Sequence, residues 1–202
     1  MIYYLPSCKY KAAHRDSSQK IQRYLAGKPD LEIVGCCRVS QHLFQAGDLI
    51  LTNCTSCAAI TDEASPQARE ISVYEYLLED PEFVWPDHQG EEITVQDCFR
   101  SIYKPQMMLA VRECLKRMNI VPVEIEENME RSRFDGTFQF SNVSESNLKL
   151  APNFYTKIQD EYIDVIAPEE QKARMIAWVR QYKTNRIVAY CNSCLNGILL
   201  GG

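Results

Sequence analysis

Leu49-Ile50-Leu51-Thr52-Asn53-Cys54-Thr55-Ser56-Cys57 is a short apolar run that ends on a Cys-x-x-Cys pair, and it decides the reading of the chain. Arg186-Ile187-Val188-Ala189-Tyr190 leads in the same way into Cys191-Asn192-Ser193-Cys194. An apolar, β-branched-rich run bounded by polar residues reads as a buried strand. Each pair then stands where a strand ends and a helix begins. The unpaired N–H groups and the dipole of a helix start favour anions, thiolates among them. The chain thus presents one thiolate-bearing unit twice.

Working outward, Ile2 to Leu5 reads as a strand that ends at Pro6-Ser7-Cys8, and Leu31 to Val34 as a strand that ends at Gly35-Cys36-Cys37. Between them, Asp16 or Ser17 is placed to cap a helix with Ile21, Tyr24 and Leu25 on its apolar face and Gly27 as its stop. Three strands therefore finish on cysteine. In an open parallel α/β sheet the ligand site lies beyond the carboxyl ends of the strands. That placement would bring Cys8, Cys36, Cys37, Cys54 and Cys57 together.

Asp80-Pro81, Trp85-Pro86 and Gln89-Gly90 are turn signals, and they place a boundary near residue 90. Beyond it the pattern restarts. Ile93-Thr94-Val95 is a strand ending at Asp97-Cys98, and Pro105 opens a helix with Met107, Val111, Cys114, Leu115 and Met118 on one face. Ile120 to Ile125 is a strand that Pro122 confines to an edge. Residues 137–167 are polar and irregular in reading, an insertion or a lid. Pro168-Glu169-Glu170 starts the last long helix, with acids in its first turn as the dipole prefers. The expectation is an α/β fold of two Rossmann-like halves with short parallel sheets, residues 1–90 and 91–202, related by an internal pseudo-two-fold repeat.

The balance of 22 Lys and Arg against 27 Asp and Glu gives a net charge of −5, with no basic stripe. That argues against nucleic acid and anionic membranes as partners. No run approaches the ~18 apolar residues of a membrane helix. Met1 to Leu5 is too short for a signal peptide, so a cytoplasmic location is expected. Nine cysteines, an odd number, make a poor disulfide framework. In a reducing compartment clustered cysteines point to metal or redox chemistry.

Structural zinc and ordinary iron–sulfur clusters each take four ligands. Five thiols, two of them adjacent in sequence, exceed both requirements and favour a multinuclear site. The order Cys … Cys-Cys … Cys-x-x-Cys, met once in full and again in part, resembles the CCG domain of heterodisulfide reductase and related cysteine-rich redox proteins. The resemblance covers nearly the whole chain. It implies a non-cubane [4Fe–4S] cluster on Cys8, Cys36, Cys37, Cys54 and Cys57, and reduction of a disulfide. Cys98, Cys191 and Cys194 match three positions of a second copy. There the paired cysteines are replaced by Phe134-Asp135-Gly136, and Arg38 stands where the family usually has Gly. A Cys₃Asp set of Cys98, Asp135, Cys191 and Cys194 would suit a zinc ion.

Three functions follow. The first is an iron–sulfur redox protein that takes electrons from a ferredoxin-like partner and acts on a thiol or disulfide substrate. The chain itself carries no ferredoxin run, no Gly-x-Gly-x-x-Gly fingerprint and no Walker motif. The second is a zinc-binding structural or interaction module without redox activity. The third is a thioredoxin-like use of Cys54 and Cys57, which leaves Cys8, Cys36 and Cys37 unexplained. Cys114 reads as core. Asp135, in an Asp-Gly pair, also reads as a turn residue. Arg38 and Arg100, each beside a presumed ligand, could offset thiolate charge or lie on the surface. Trp85 and Trp178 read as packing residues.

Overall fold

The computed structural model describes all residues, 1–202. In chain order the elements are β1 (Ile2–Leu5), α1 (Cys8–Ala13), α2 (Arg15–Leu25), β2 (Leu31–Ile33), β3 (Leu49–Thr52), α3 (Thr55–Ala64), β4 (Arg69–Ser72) and α4 (Val73–Glu79). They continue with β5 (Glu91–Gln96), α5 (Pro105–Arg117), β6 (Ile120–Glu124), α6 (Glu145–Leu150), α7 (Pro152–Tyr162), α8 (Pro168–Val179), β7 (Ile187–Ala189) and α9 (Asn192–Gly201). The fold is α/β with two small parallel sheets. The chain divides into two compact units, residues 1–76 with 143–160, and residues 77–142 with 161–202.

The first unit holds the sheet β2-β1-β3-β4, all parallel. Parallel strands are covered on both faces and so read as continuous apolar runs. Tyr4, Leu5, Ile50 and Leu51 are accordingly buried to 0% exposure. Burying each such side chain stabilises the fold by about 1.5–3 kcal/mol. Because β1, β2 and β3 are neighbours and run the same way, their carboxyl ends share one edge.

The second unit holds the sheet β6-β5-β7, also parallel. β6, with Pro122, lies at an edge as proline requires. α5 opens with Pro105 at its first position and buries Met107, Val111, Cys114 and Leu115. α8 opens in the same way, with Pro168 followed by Glu169 and Glu170.

Two expectations change. The stretch 137–167 is not irregular: it contains α6 and α7. Ser144 caps α6 by accepting from the Asn147 N–H, and Pro152 begins α7. These end signals outweigh the polar composition, and Tyr155 and Ile158 are buried at 0% exposure. Near the N-terminus a short helix, α1, precedes the expected one. Ser7 caps it, accepting from the Tyr10 N–H at 3.4 Å. α2 therefore starts at Arg15 after His14, with Asp16 in its first turn rather than as its cap.

Candidate metal centre

Both Cys-x-x-Cys pairs sit as expected. Cys54 is the residue before α3 and Cys191 the residue before α9, each in extended conformation and one residue removed from the end of its strand. Each pair thus meets the N-terminal end of a helix, where the field favours the thiolate.

In the second unit, Cys98 follows β5 and Cys191 follows β7. The two strands are neighbours, with Gln96 opposite Ala189. Asp135 arrives from the loop after β6 and opens a 3-10 turn, Gly136–Phe140. The ligand atoms of Cys98, Asp135, Cys191 and Cys194 all lie within 4.8 Å of one another. All four are buried, Cys194 completely. This is the set named from the sequence, and it is a buried cluster of four Cys and Asp groups that could hold a metal. A tetrahedron with metal–sulfur bonds near 2.3 Å has sulfur–sulfur edges of about 3.8 Å, so only a small contraction separates this cluster from a coordination sphere.

Backbone contact sets the width of the cluster. Gly136 has a positive φ of 53°, and a Cβ there would fall 1.8 Å from the Ser193 carbonyl oxygen. Gly197 faces it from α9, where a Cβ would meet the Gly136 Cα at 2.5 Å. Only glycine at both positions lets the Asp135 segment lie against the start of α9.

Arg100 completes the site from inside. Its Nε lies 2.7 Å from Asp135 Oδ2 and its Nη2 donates to Asp135 Oδ1 at 2.9 Å. Nη2 also donates to the Cys191 sulfur at 3.3 Å. The guanidinium lies 4.2 Å from the centre of the Phe138 ring and is 3% exposed. The surface alternative for Arg100 is therefore replaced by a buried one. Burial pushes the Asp135 carboxyl up to about 7 although Arg100 opposes this. Hydrogen bonds from Cys194 and Cys98, with Arg100 beside them, hold Cys191 well below the usual thiol range. Burial drives Cys98 and Cys194 well above it.

The donor set fits a divalent ion. Asp135 Oδ1 faces the sulfurs, 3.3 Å from Cys98 and 4.0 Å from Cys191. A carboxylate oxygen has two lone pairs, so Oδ1 can keep its Arg100 bond and still ligate. A divalent ion and Arg100 together would offset all but one of the negative charges of the four ionised ligands.

In the first unit the five thiols lie near enough to influence one another in series. Cys36 interacts with Cys8 and Cys37, Cys37 with Cys57, and Cys57 with Cys54. Cys8 is exposed, Cys36 and Cys54 are half-buried, and Cys37 and Cys57 are buried. The Cys57 contact, with Arg38 helping, lowers the Cys37 thiol, while its own contacts with Cys37 and Cys54 raise Cys57 well up. Arg38 is exposed and donates to Asn147 Oδ1 of α6 at 2.8 Å.

The sequence passed over the residues behind the ligands. Gln96, Asp97 and Tyr190 are buried beside Cys98 and Cys191, where sequence adjacency to a ligand was the only signal available. Trp178, read as packing, also donates its indole N–H to Gln96 Oε1 at 2.7 Å and stacks on Phe134 with ring centres 4.9 Å apart. No helix is long and apolar enough to cross a membrane. No protein-family model, no curated protein and no solved structure matches the chain.

Proposed function

We propose that the chain is a metal-binding redox protein: an iron–sulfur protein that serves electron transfer or disulfide reduction. The observation that carries the metal-binding part is the gathering of three buried thiols and a carboxylate within 4.8 Å, from segments far apart in sequence; the redox part rests on the resemblance of the first five cysteines to the CCG domain. Such a set is costly to bury without a cation and is what a structural ion needs.

In this reading Cys98, Asp135, Cys191 and Cys194 hold one metal ion, zinc by donor type. Cys8, Cys36, Cys37, Cys54 and Cys57 hold a non-cubane [4Fe–4S] cluster, as the resemblance to CCG-domain proteins implies. When bound, that cluster supplies one-electron steps. The net reaction on a substrate is R–S–S–R′ plus two electrons and two protons to RSH plus R′SH. Electrons come from a ferredoxin-like partner, because the chain has no four-cysteine ferredoxin run of its own. The exposed Cys8 edge is where a disulfide can approach, and among the five thiols Cys37 is held below the usual thiol range. A compartment that keeps thiols reduced, the cytoplasm, suits the chemistry.

The burial of the second cluster favours a second reading, a zinc-stabilised structural module without redox activity. Anaerobic purification with iron, acid-labile sulfide and zinc analysis decides. The expected result is about four iron and four sulfide per chain together with one zinc. Zinc in a colourless protein without iron overturns the redox reading in favour of the structural one. A chain with no metal overturns both.

A further inference from the structure

The four groups of the second cluster arrive on three segments: the end of β5, the loop before Asp135, and the end of β7. One carboxylate is bonded to all three. Asp97 directly precedes Cys98 and is 0% exposed. Its Oδ1 accepts from the Tyr190 hydroxyl at 2.7 Å, and Tyr190 directly precedes Cys191. Its Oδ2 accepts from the Met129 N–H at 2.7 Å, in the loop that leads to Asp135. The Asp97 carbonyl accepts from Ser132 Oγ of the same loop at 3.0 Å and from Gln96 Nε2 at 2.7 Å. Arg112 of α5 closes the arrangement, with Nη1 3.0 Å from Oδ1 and Nη2 2.6 Å from Oδ2, and is itself held by Glu124.

The paired register of β5 and β7 gives these bonds their meaning. Gln96 opposite Ala189 is the last paired position. One residue further, where the backbone ladder has stopped, the Asp97–Tyr190 bond joins the two strands. One residue beyond that stand Cys98 and Cys191. Each oxygen of Asp97 already accepts two bonds, which uses the four lone-pair directions of a carboxylate. Asp97 therefore has none left for a metal.

We infer that Asp97, acting with Tyr190 and Arg112, is a positioning residue of the metal site: it fixes the separation and direction of Cys98, Asp135 and Cys191 without touching the ion. This rests on the metal reading of that cluster. Groups that orient ligands in this way set affinity and geometry nearly as strongly as the ligands do.

The test is a titration of the metal-free full chain with Co²⁺ under anaerobic conditions, following its ligand-field absorption bands. Asp97→Asn keeps the side-chain size but turns one acceptor into a donor. It should weaken Co²⁺ binding about 10- to 100-fold and shift the bands. Tyr190→Phe removes the one bond between the strand ends. It should shift the bands in the same sense with a loss of about tenfold or less. Glu124→Gln removes the charge of the partly exposed group behind Arg112 while leaving Asp97 and Tyr190 in place, and should leave the bands in place. The bands matter because a loss of stability alone would lower occupancy without changing the coordination geometry. If Asp97→Asn does not fold, Tyr190→Phe decides alone. A Tyr190→Phe chain with wild-type affinity and wild-type bands overturns the inference and leaves the metal reading intact. A wild-type chain that takes up no Co²⁺ overturns the metal reading, and the inference with it.

Discussion

The two thiol clusters are built by the same local device and end in opposite environments. In both, parallel strands deliver cysteines at their carboxyl ends and a Cys-x-x-Cys pair opens a helix. The first cluster keeps an exposed member, Cys8, and has Arg38 at its rim. The second has every sulfur buried and carries Arg100 inside. An exposed guanidinium stays hydrated and contributes little, whereas a buried one is tied to the groups it neutralises. The local device presents thiols, and the packing around it decides whether they stay open to solvent or are sealed inside the protein.

The largest expected effect separates the two roles. Replacing Cys191 and Cys194 with Ser should cost the metal-loaded second unit about 5 kcal/mol or more, because ligand binding there is folding energy. Replacing Cys54 and Cys57 should bring a much smaller loss, and on the proposed function it removes the iron. Hydrogen exchange resolved by residue reads each unit separately, and equal losses of protection in both would break the contrast. Next comes the cation. Arg100→Gln leaves Asp135 buried without its partner and should destabilise by about 3–5 kcal/mol, against about 0.5 kcal/mol or less for Arg38→Gln. Urea unfolding of the metal-free variants measures both, and comparable values would show that Arg100 is not an integral part of the cluster.

Accessibility gives a smaller and purely kinetic signal. In the native metal-free protein, iodoacetamide should label Cys8 first. Cys98 and Cys194 should react roughly 100-fold more slowly, which corresponds to a local opening of about 3 kcal/mol. Peptide mass spectrometry over time follows the labelling, and early modification of Cys194 would contradict the burial. The smallest effect is a pH effect confined to the first unit. Asp48 is held below its usual range by the Gln45 N–H and by the Met1 amine 3.0 Å away. A carboxyl lowered on folding adds stability above its unfolded value, and that stability is lost as pH falls through its folded value. Asp48→Asn should therefore lower first-unit stability at neutral pH, leave it nearly unchanged at strongly acid pH, and so flatten the acid limb below about pH 4. An unaltered acid limb would remove Asp48 from the account.

Much of the fold was legible because its signals are local. β3 runs over Leu49–Thr52, the residues its apolar run marks, and Pro105, Pro168 and Pro122 act at the helix starts and the edge where proline chemistry puts them. In the second cluster Cys98, Cys191 and Cys194 were legible as cysteines at strand ends, whereas Asp135 came only from the resemblance to the CCG repeat. What stayed hidden depends on contacts between distant residues. Arg100 reads the same in sequence whether it points to water or into the protein. Asp97 and Tyr190 lie 93 residues apart and become neighbours only through the pairing of β5 with β7. α1 and α6 were hidden for another reason: each is six residues long, too short for a helical period to appear, and each is marked mainly by a capping serine.

The stack of Trp178 on Phe134 has an optical consequence. The chain has two tryptophans, Trp85 and Trp178, and both belong to the second unit. Indole fluorescence is therefore blind to the first unit and sees the second from a position one residue away from Asp135. In a Trp85→Phe chain, an emission change on adding metal would come from the neighbourhood of the ligands, with no label attached. In denaturant, emission follows one unit while far-ultraviolet dichroism averages over both, so the two curves coincide only if the units unfold together.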